Sequence, residues 1–316
     1  MKFKKILLLG FTEDNLREKD WKRLEILCDE KILLPKEDSH LKQHLRNSDC
    51  LLVKLGAIVD KEMIDVSPDL KYIGMLGTGY GRIDTKYATR KNITVCNIAR
   101  YSTEGVAELA FGLILEHIRE IERAKSQASL GKYSEVGFHG FEIKNKMFGV
   151  IGLGRIGKRI AEIAAHGFDA HVSYWSRKRK KDSERKGINY NSVDDLLKNS
   201  DFISINLAYT AETKNFLDGR KIQSIKKGAI VCNLAPMELV DIDALENRLQ
   251  KGNITFILDH SDEFTAEQAK KLSQYKNCIM YPPIGYITKE ATEAKLEMFI
   301  DNIENFLAGK PTNKVN

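Results

Sequence analysis

No apolar stretch of this 316-residue chain reaches transmembrane length. Its five cysteines, Cys28, Cys50, Cys96, Cys232 and Cys278, are scattered and odd in number. That spacing excludes a disulfide framework and a paired-cysteine metal site. It fits small buried hydrophobes in a reducing compartment. Among the seven histidines only His40 and His44 stand one helical turn apart, with no third ligand in view, so no metal site is expected. No low-complexity segment occurs. A strong charge imbalance is also missing: 50 Lys and Arg against 44 Asp and Glu give +6. That excess alone does not point to nucleic acid, although a local cluster could hold a phosphate.

The composition present, 42% hydrophobic and 30% charged, is that of a globular protein. At roughly 100–200 residues per domain, the length suggests two domains. Met1-Lys2-Phe3-Lys4-Lys5 precedes Ile6-Leu7-Leu8-Leu9, an order resembling a signal peptide. The apolar run is too short, and Thr12, Glu13 and Asp14 follow without a cleavage site. It reads as a first buried strand, and a cytoplasmic protein is expected.

Strand-length apolar runs alternate with helix-period segments almost throughout. Strands are predicted at 5–9, 50–54, 72–76 and 94–97, with helical stretches at 21–28, 61–66 and 83–91. One long helix is predicted over 102–128, capped by Ser102 and Glu104. A second series has strands at 148–151, 171–175, 202–206, 229–233, 254–258 and 278–281, with helices between them. A last helix, 289–307, has no sheet of its own and is placed back on the first domain. The fold class is therefore α/β, with parallel doubly wound sheets. The expected domains are 1–101 plus 285–316, and 102–284.

Gly152-Leu153-Gly154-Arg155-Ile156-Gly157 lies between a strand and a helix, with a second strand behind it. In that context the motif is a strong dinucleotide fingerprint. Gly152 allows the turn, Gly154 lets the backbone approach a pyrophosphate, and Gly157 permits close helix–strand packing. The helix N-terminus adds free N–H groups and a positive dipole end. After the next strand come Ser176-Arg177-Lys178-Arg179-Lys180-Lys181, and no acid lies between Asp169 and Asp182. A hydroxyl followed by cations suits the extra phosphate of NADP, so NADP is preferred over NAD, with a solvated loop tolerating either as the alternative. Binding of nucleic acid through this one short run is not expected.

Several ordered motifs resemble those of the D-isomer-specific 2-hydroxyacid dehydrogenases. They are Gly77-Thr78-Gly79-Tyr80-Gly81-Arg82-Ile83-Asp84, then Tyr101-Ser102-Thr103-Glu104-Gly105-Val106-Ala107-Glu108, then Gly140-Phe141-Glu142-Ile143 leading into the fingerprint, and segments 201–213 and 233–245. The resemblance implies two Rossmann-like domains with an interdomain cleft, a small-molecule substrate or effector, and a homodimer built on the dinucleotide domain. It implies cofactor contacts at Leu207, Ala208, Thr213, Asn233, Leu234, Ala235 and Asp259. It implies substrate contacts at Lys54, Leu55, Gly56, Gly79 and Arg82.

Members of that family use an arginine, a glutamate and a histidine. Here the arginine position holds Pro236, the histidine position Pro283 and the glutamate position Phe264. Proline can neither donate a proton nor anchor a carboxylate. The usual keto-acid chemistry therefore lacks its acid and its anchor. His260, Glu263 and Tyr281 are the candidate replacements, because a histidine beside carboxylates and a tyrosine can move protons. A hydrogen-bonded loop histidine is the plainer alternative for His260. Lys54, Arg82 or Arg100 could anchor a carboxylate from the first domain. Two functions follow: an NAD(P)-dependent oxidoreductase with a non-standard site, acting on something other than a simple 2-hydroxy acid, or a dinucleotide-binding regulatory protein without catalysis.

Overall fold

A computed structural model describes residues 1–54 and 56–316. Leu55, expected to touch substrate, lies outside the described residues. The chain forms two compact units, Met1–Tyr101 with Lys289–Asn316, and Ser102–Thr288. The return crossing thus falls beyond the expected Ile284. Residues 285–288 stay with the second unit because Gly285 N–H donates to Asp259 Oδ2 at 3.3 Å and Gly105 lies against Thr288 and Gly285.

The first unit holds five parallel strands: β1 (Phe3–Leu9), β2 (Cys28–Leu34), β3 (Cys50–Lys54), β4 (Tyr72–Leu76) and β5 (Thr94–Cys96). Their spatial order is β2-β1-β3-β4-β5. In β1, Phe3, Ile6 and Leu8 face a core shared with the helices Glu18–Ile26 and Lys289–Leu307, while Leu7 and Leu9 face the opposite core. Burial of both faces is why the run is apolar without alternation. In this unit β2 is the strand not foreseen from the sequence. It sits at the sheet edge and carries Asp29 and Glu30 exposed, as edge strands commonly do.

The second unit holds β6 (Met147–Ile151), β7 (His171–Trp175), β8 (Asn189–Tyr190), β9 (Phe202–Ile205), β10 (Ile230–Asn233), β11 (Thr255–Leu258) and β12 (Cys278–Met280). All neighbours are parallel, in the order β12-β11-β10-β9-β6-β7-β8. This is the doubly wound dinucleotide order with one strand added beyond the sixth, and its switch point lies between β6 and β9. Phe148 and Val150 pack on one face against the helices Thr103–Ile118 and Arg155–Gly167. Ile151, Ile203 and Val231 fill the other face. The single long helix expected over 102–128 is two helices, Thr103–Ile118 and Ile121–Ser129. Glu120 breaks it with φ +50°, a left-handed turn that no glycine or proline announces. No helix among the described residues is long and apolar enough to cross a membrane.

Candidate functional site

The fingerprint sits at the carboxyl end of β6. Gly152 has φ +93°, and its N–H donates to Trp175 O at 2.8 Å, which ties the turn to β7. A Cβ on Gly157 would lie 2.1 Å from Gly152 O, so this glycine is required by helix–strand packing. Gly154 differs from both. It caps the 13-residue helix Arg155–Gly167 with φ −79°, which any residue can adopt, and a Cβ there would meet nothing within 4 Å. Neither backbone strain nor protein packing explains that glycine. An open cradle before a helix N-terminus fits a pyrophosphate drawn close to the backbone. When bound, the dinucleotide supplies hydride transfer at its nicotinamide ring.

The basic run after β7 divides between two places. Arg179, Lys180 and Lys181 line a groove of about 640 Å³ together with Leu153, Gly154, Arg155 and Lys158. Arg177 instead lines a small cavity of about 120 Å³ with Leu207, Ala208 and Thr213. There it pairs with Glu212 at 3.0 Å, both side chains being exposed. Thr213 Oγ1 donates to Ala208 O at 2.8 Å, which fixes that loop. Ser176 is buried and spends its hydroxyl proton on Lys178 O at 2.6 Å. Arg179 is held by Glu184 at 2.6 Å and stacks over Tyr190. Arg179, Lys180 and Lys181 belong to the basic run read from the sequence, whereas Lys158 was not singled out there. The signal for Lys158 was available: it follows the third glycine and so lies in the helix's first turn.

At the carboxyl ends of β10 and β11 the two proline positions are bridged by acids. Asn233 is fully buried and knits the turn through Ala235 O, Ala235 N and Met237 Sδ. Leu234 packs half-buried beside it. Pro236 starts a short 3₁₀ turn, and the N–H of the next residue, Met237, donates to Glu263 Oε2 at 2.7 Å. Glu263 Oε1 lies 3.2 Å from His260 Nδ1. His260 Nε2 lies 3.7 Å from Asp259 Oδ1, an electrostatic contact too long for a hydrogen bond. Asp259 is 3% exposed; its Oδ2 takes the Gly285 N–H, while its Oδ1 has no hydrogen-bond partner. Phe264, at the family's glutamate position, packs against the core, and the 3₁₀ turn Ser261–Glu263 carries Glu263 to the Pro236 turn instead.

Tyr281 does not join this cluster through its ring. Its hydroxyl donates to the Glu116 carboxylate on the helix Thr103–Ile118, and burial followed by that carboxylate pushes the phenol well above its usual range. Only its backbone serves the site: its carbonyl accepts from Ser261 Oγ at 2.9 Å. That hydrogen bond holds the ring toward the helix, so Tyr281 is not placed as the acid/base expected from the sequence.

Burial alone would lower the His260 pKa, but Glu263 and Asp259 outweigh it and hold the imidazolium above 6.5. Burial alone would raise Glu263, but His260 and the Met237 N–H hold it below 4.5. Stability from His260 is therefore full below 6.5 and lost as pH rises through its raised value. Stability from Glu263 is full above 4.5 and lost as pH falls through its lowered value. The pair stabilises most between those limits. In Glu263→Gln the His260 titration midpoint, read by NMR, is expected to fall. An unchanged midpoint would mean that the two side chains are not coupled in solution.

In the first unit, Arg82 Nη1 donates to Gly56 O at 3.3 Å. Gly56, Gly79 and Arg82 line a cavity of about 190 Å³. Lys54 points elsewhere, to Asn15 Oδ1 at 2.9 Å. Arg100 has φ +78°, a strained conformation for a non-glycine residue. Among the described residues no group of three or more His, Cys, Asp or Glu could hold a metal.

Residues 111–285 match the family model described as "D-isomer specific 2-hydroxyacid dehydrogenase, NAD binding domain". The chain is 35% identical over 286 residues to a glyoxylate reductase of Thermococcus litoralis, covering 87% of this chain and 86% of that protein. Among solved structures it is similar to the D-lactate dehydrogenase of Aquifex aeolicus complexed with NAD and lactic acid, at 26% identity and TM-score 0.84, with 96% of each chain covered. It is also similar to an acyclic imino acid reductase in complex with NADPH and D-Arg, at 28% identity and TM-score 0.86, covering 99% of this chain and all of that one. An intact fingerprint, an open pyrophosphate cradle and these likenesses make one statement together: the chain belongs to the D-isomer-specific 2-hydroxyacid dehydrogenase family and is an NAD(P)-dependent enzyme.

Proposed function

We propose that the protein is an NADP-preferring reductase of 2-imino acids or related imines, not of simple 2-keto acids. The observation that carries this reading is the charge of the corner that replaces the family residues. A keto acid and an imino acid both need a cation for the carboxylate, but only the keto acid also needs a proton donor, for its oxygen. Pro236 and Pro283 offer neither. Their neighbours are instead Asp259, Glu263 and His260, with Asp262 acting electrostatically on Asp259 and His260 and with Glu238 beside Glu263, so carboxylates outnumber the single imidazolium. An iminium, C=NH₂⁺, suits that surplus. It brings its own positive charge and proton, so taking up hydride at carbon yields an amine without any proton from the protein. Asp259 Oδ1, buried and without a hydrogen-bond partner, is the acceptor for a cationic N–H. The likeness to an imino acid reductase bound to NADPH and D-Arg supports the same reading. The cation-lined groove beside the fingerprint supports NADP.

The test is NADPH oxidation with glyoxylate or pyruvate, alone and with ammonia or methylamine present. Turnover should depend on the amine and exceed that with keto acid alone by about 10²-fold or more, the low end of what a missing acid costs. An equal rate without amine would make His260 the acid of a rebuilt keto reductase and overturn the proposal. Tight NADPH binding with no turnover of any substrate would favour the non-catalytic reading.

The proposal includes self-association through the second unit. Leu130, Tyr133 and Val136 are 72%, 82% and 79% exposed on the segment after the broken helix. Exposed apolar groups so close together mark a contact surface. Light scattering should give the mass of two chains; a monomer at micromolar concentration would remove this part.

A further inference from the structure

We propose that the carboxyl end of the first unit's sheet is a seat for a small anion, a carboxylate or phosphate group, held by Lys54 and Lys295. The strand order β2-β1-β3-β4-β5 reverses between β1 and β3. In open parallel sheets the crevice at that reversal, outside the carboxyl ends, is where ligands bind. Lys54 is the last residue of β3. Its ammonium donates to a neutral amide, Asn15 Oδ1, in the segment that leaves β1. Lys295 reaches the same place from the C-terminal helix. It lies one turn before Phe299 on the same helix face, and Phe299 stacks on Phe11, just beyond β1. The stem of Lys36 crosses the reversal as well: a Cβ on Gly10 would meet its Cγ at 2.8 Å, and one on Gly56 its Nζ at 3.0 Å.

The electrostatics of this place are unfavourable as it stands. Lys295 is half-buried, and no carboxylate pairs with it or with Lys54 among the described residues. Burial lowers the Lys295 pKa, and the charge of Lys54 lowers it further. Acids are available on the same helix, but Glu297, Asp301 and Glu304 are spent on Arg17, Lys19 and Arg23. Like charges brought together out of water without a counter-charge persist when an anion completes them. Two ammonium groups offer a carboxylate or phosphate charge-assisted hydrogen bonds. The seat stands apart from the imine reading, because its binding and melting measurements need no turnover; turnover serves only to tell which anion fills it.

The test titrates full-length protein, saturated with NADP⁺ so that the fingerprint's phosphate positions are filled, with oxalate and with inorganic phosphate by calorimetry. Wild type should bind at least one of them. Affinity should fall about tenfold or more in Lys295→Met and in Lys54→Met, the loss expected for a hydrogen bond to a charged group, and persist in Lys295→Arg. Without anion, Lys295→Met should melt higher than wild type, and anion should raise the melting temperature of wild type but not of Lys295→Met. Competition separates the two sources of the anion. Oxalate that competes with substrate places the substrate's own carboxylate in the seat, and oxalate bound without affecting turnover marks a separate ligand. No binding of either probe, equal affinity in Lys295→Met, or a lower melting temperature for that variant would each overturn the proposal.

Discussion

Gly154→Ala is expected to weaken NADPH binding by roughly ten- to a hundredfold while leaving the fold almost untouched. The backbone at Gly154 is extended, and an added methyl meets nothing within 4 Å. As an N-cap substitution it should cost about 1 kcal/mol or less. The methyl would, however, occupy the space through which the pyrophosphate approaches the helix N-terminus. Extra methyl groups forced into a filled space cost about 1–3 kcal/mol, which is the affinity range given. Gly157→Ala is the contrasting case. Its methyl would stand 2.1 Å from Gly152 O, a backbone atom that cannot rotate away. That variant should lose about 3 kcal/mol or more of stability, cofactor or not. Fluorescence titration with NADPH and thermal melting of both variants separate the two roles. If Gly154→Ala binds NADPH like wild type, the pyrophosphate does not cross that glycine.

The contrast between these glycines marks how far the sequence could be read. The spacing of Gly152, Gly154 and Gly157 announces a cofactor turn, but only the built turn shows which glycine serves packing and which serves the ligand. The same division runs through the fold. Strands buried on both faces, such as β1 and β9, declare themselves as apolar runs. β2 and β8 do not, because edge strands carry polar residues and β8 spans two residues. The break at Glu120 was invisible because a single left-handed residue without glycine leaves no compositional mark. At the site, the loss of the family arginine and histidine was legible in Pro236 and Pro283. The place of Glu263 was not, since a 3₁₀ turn rather than the spacing carries it to Met237. Tyr281 was misread for a related reason: residues near in sequence to a site need not point into it, and its hydroxyl belongs to Glu116. Lys295 lies more than two hundred residues from Lys54 in the chain, and only the helix returning to the first unit joins them.

Asp259→Asn is expected to make the protein more stable and nearly inactive. Asp259 is buried at the end of β11, with one oxygen on Gly285 N–H and the other unpartnered. Burial raises its pKa above 3.8, outweighing the pull of His260 and Gly285. A raised carboxylate contributes stability only while protonated, so the ionised form weighs against the fold above its folded pKa, and that cost fades as pH falls through it. Asparagine keeps the shape and the acceptor for Gly285 without the charge. Relieving an imperfectly paired buried group commonly returns about 1–3 kcal/mol. The melting temperature should therefore rise at neutral pH, with the gain shrinking in acid. Activity should move the other way. The amide cannot neutralise an iminium, and it removes one of the carboxylates that act on His260, so kcat/KM should fall by about 10²–10⁴. NADPH affinity, measured separately by fluorescence, tells whether any of that loss lies in cofactor binding. A variant less stable than wild type, or one equally active, would deny Asp259 this role. A stabilised but inactive variant would mean that the chain keeps a charge against its own fold because its substrate requires one.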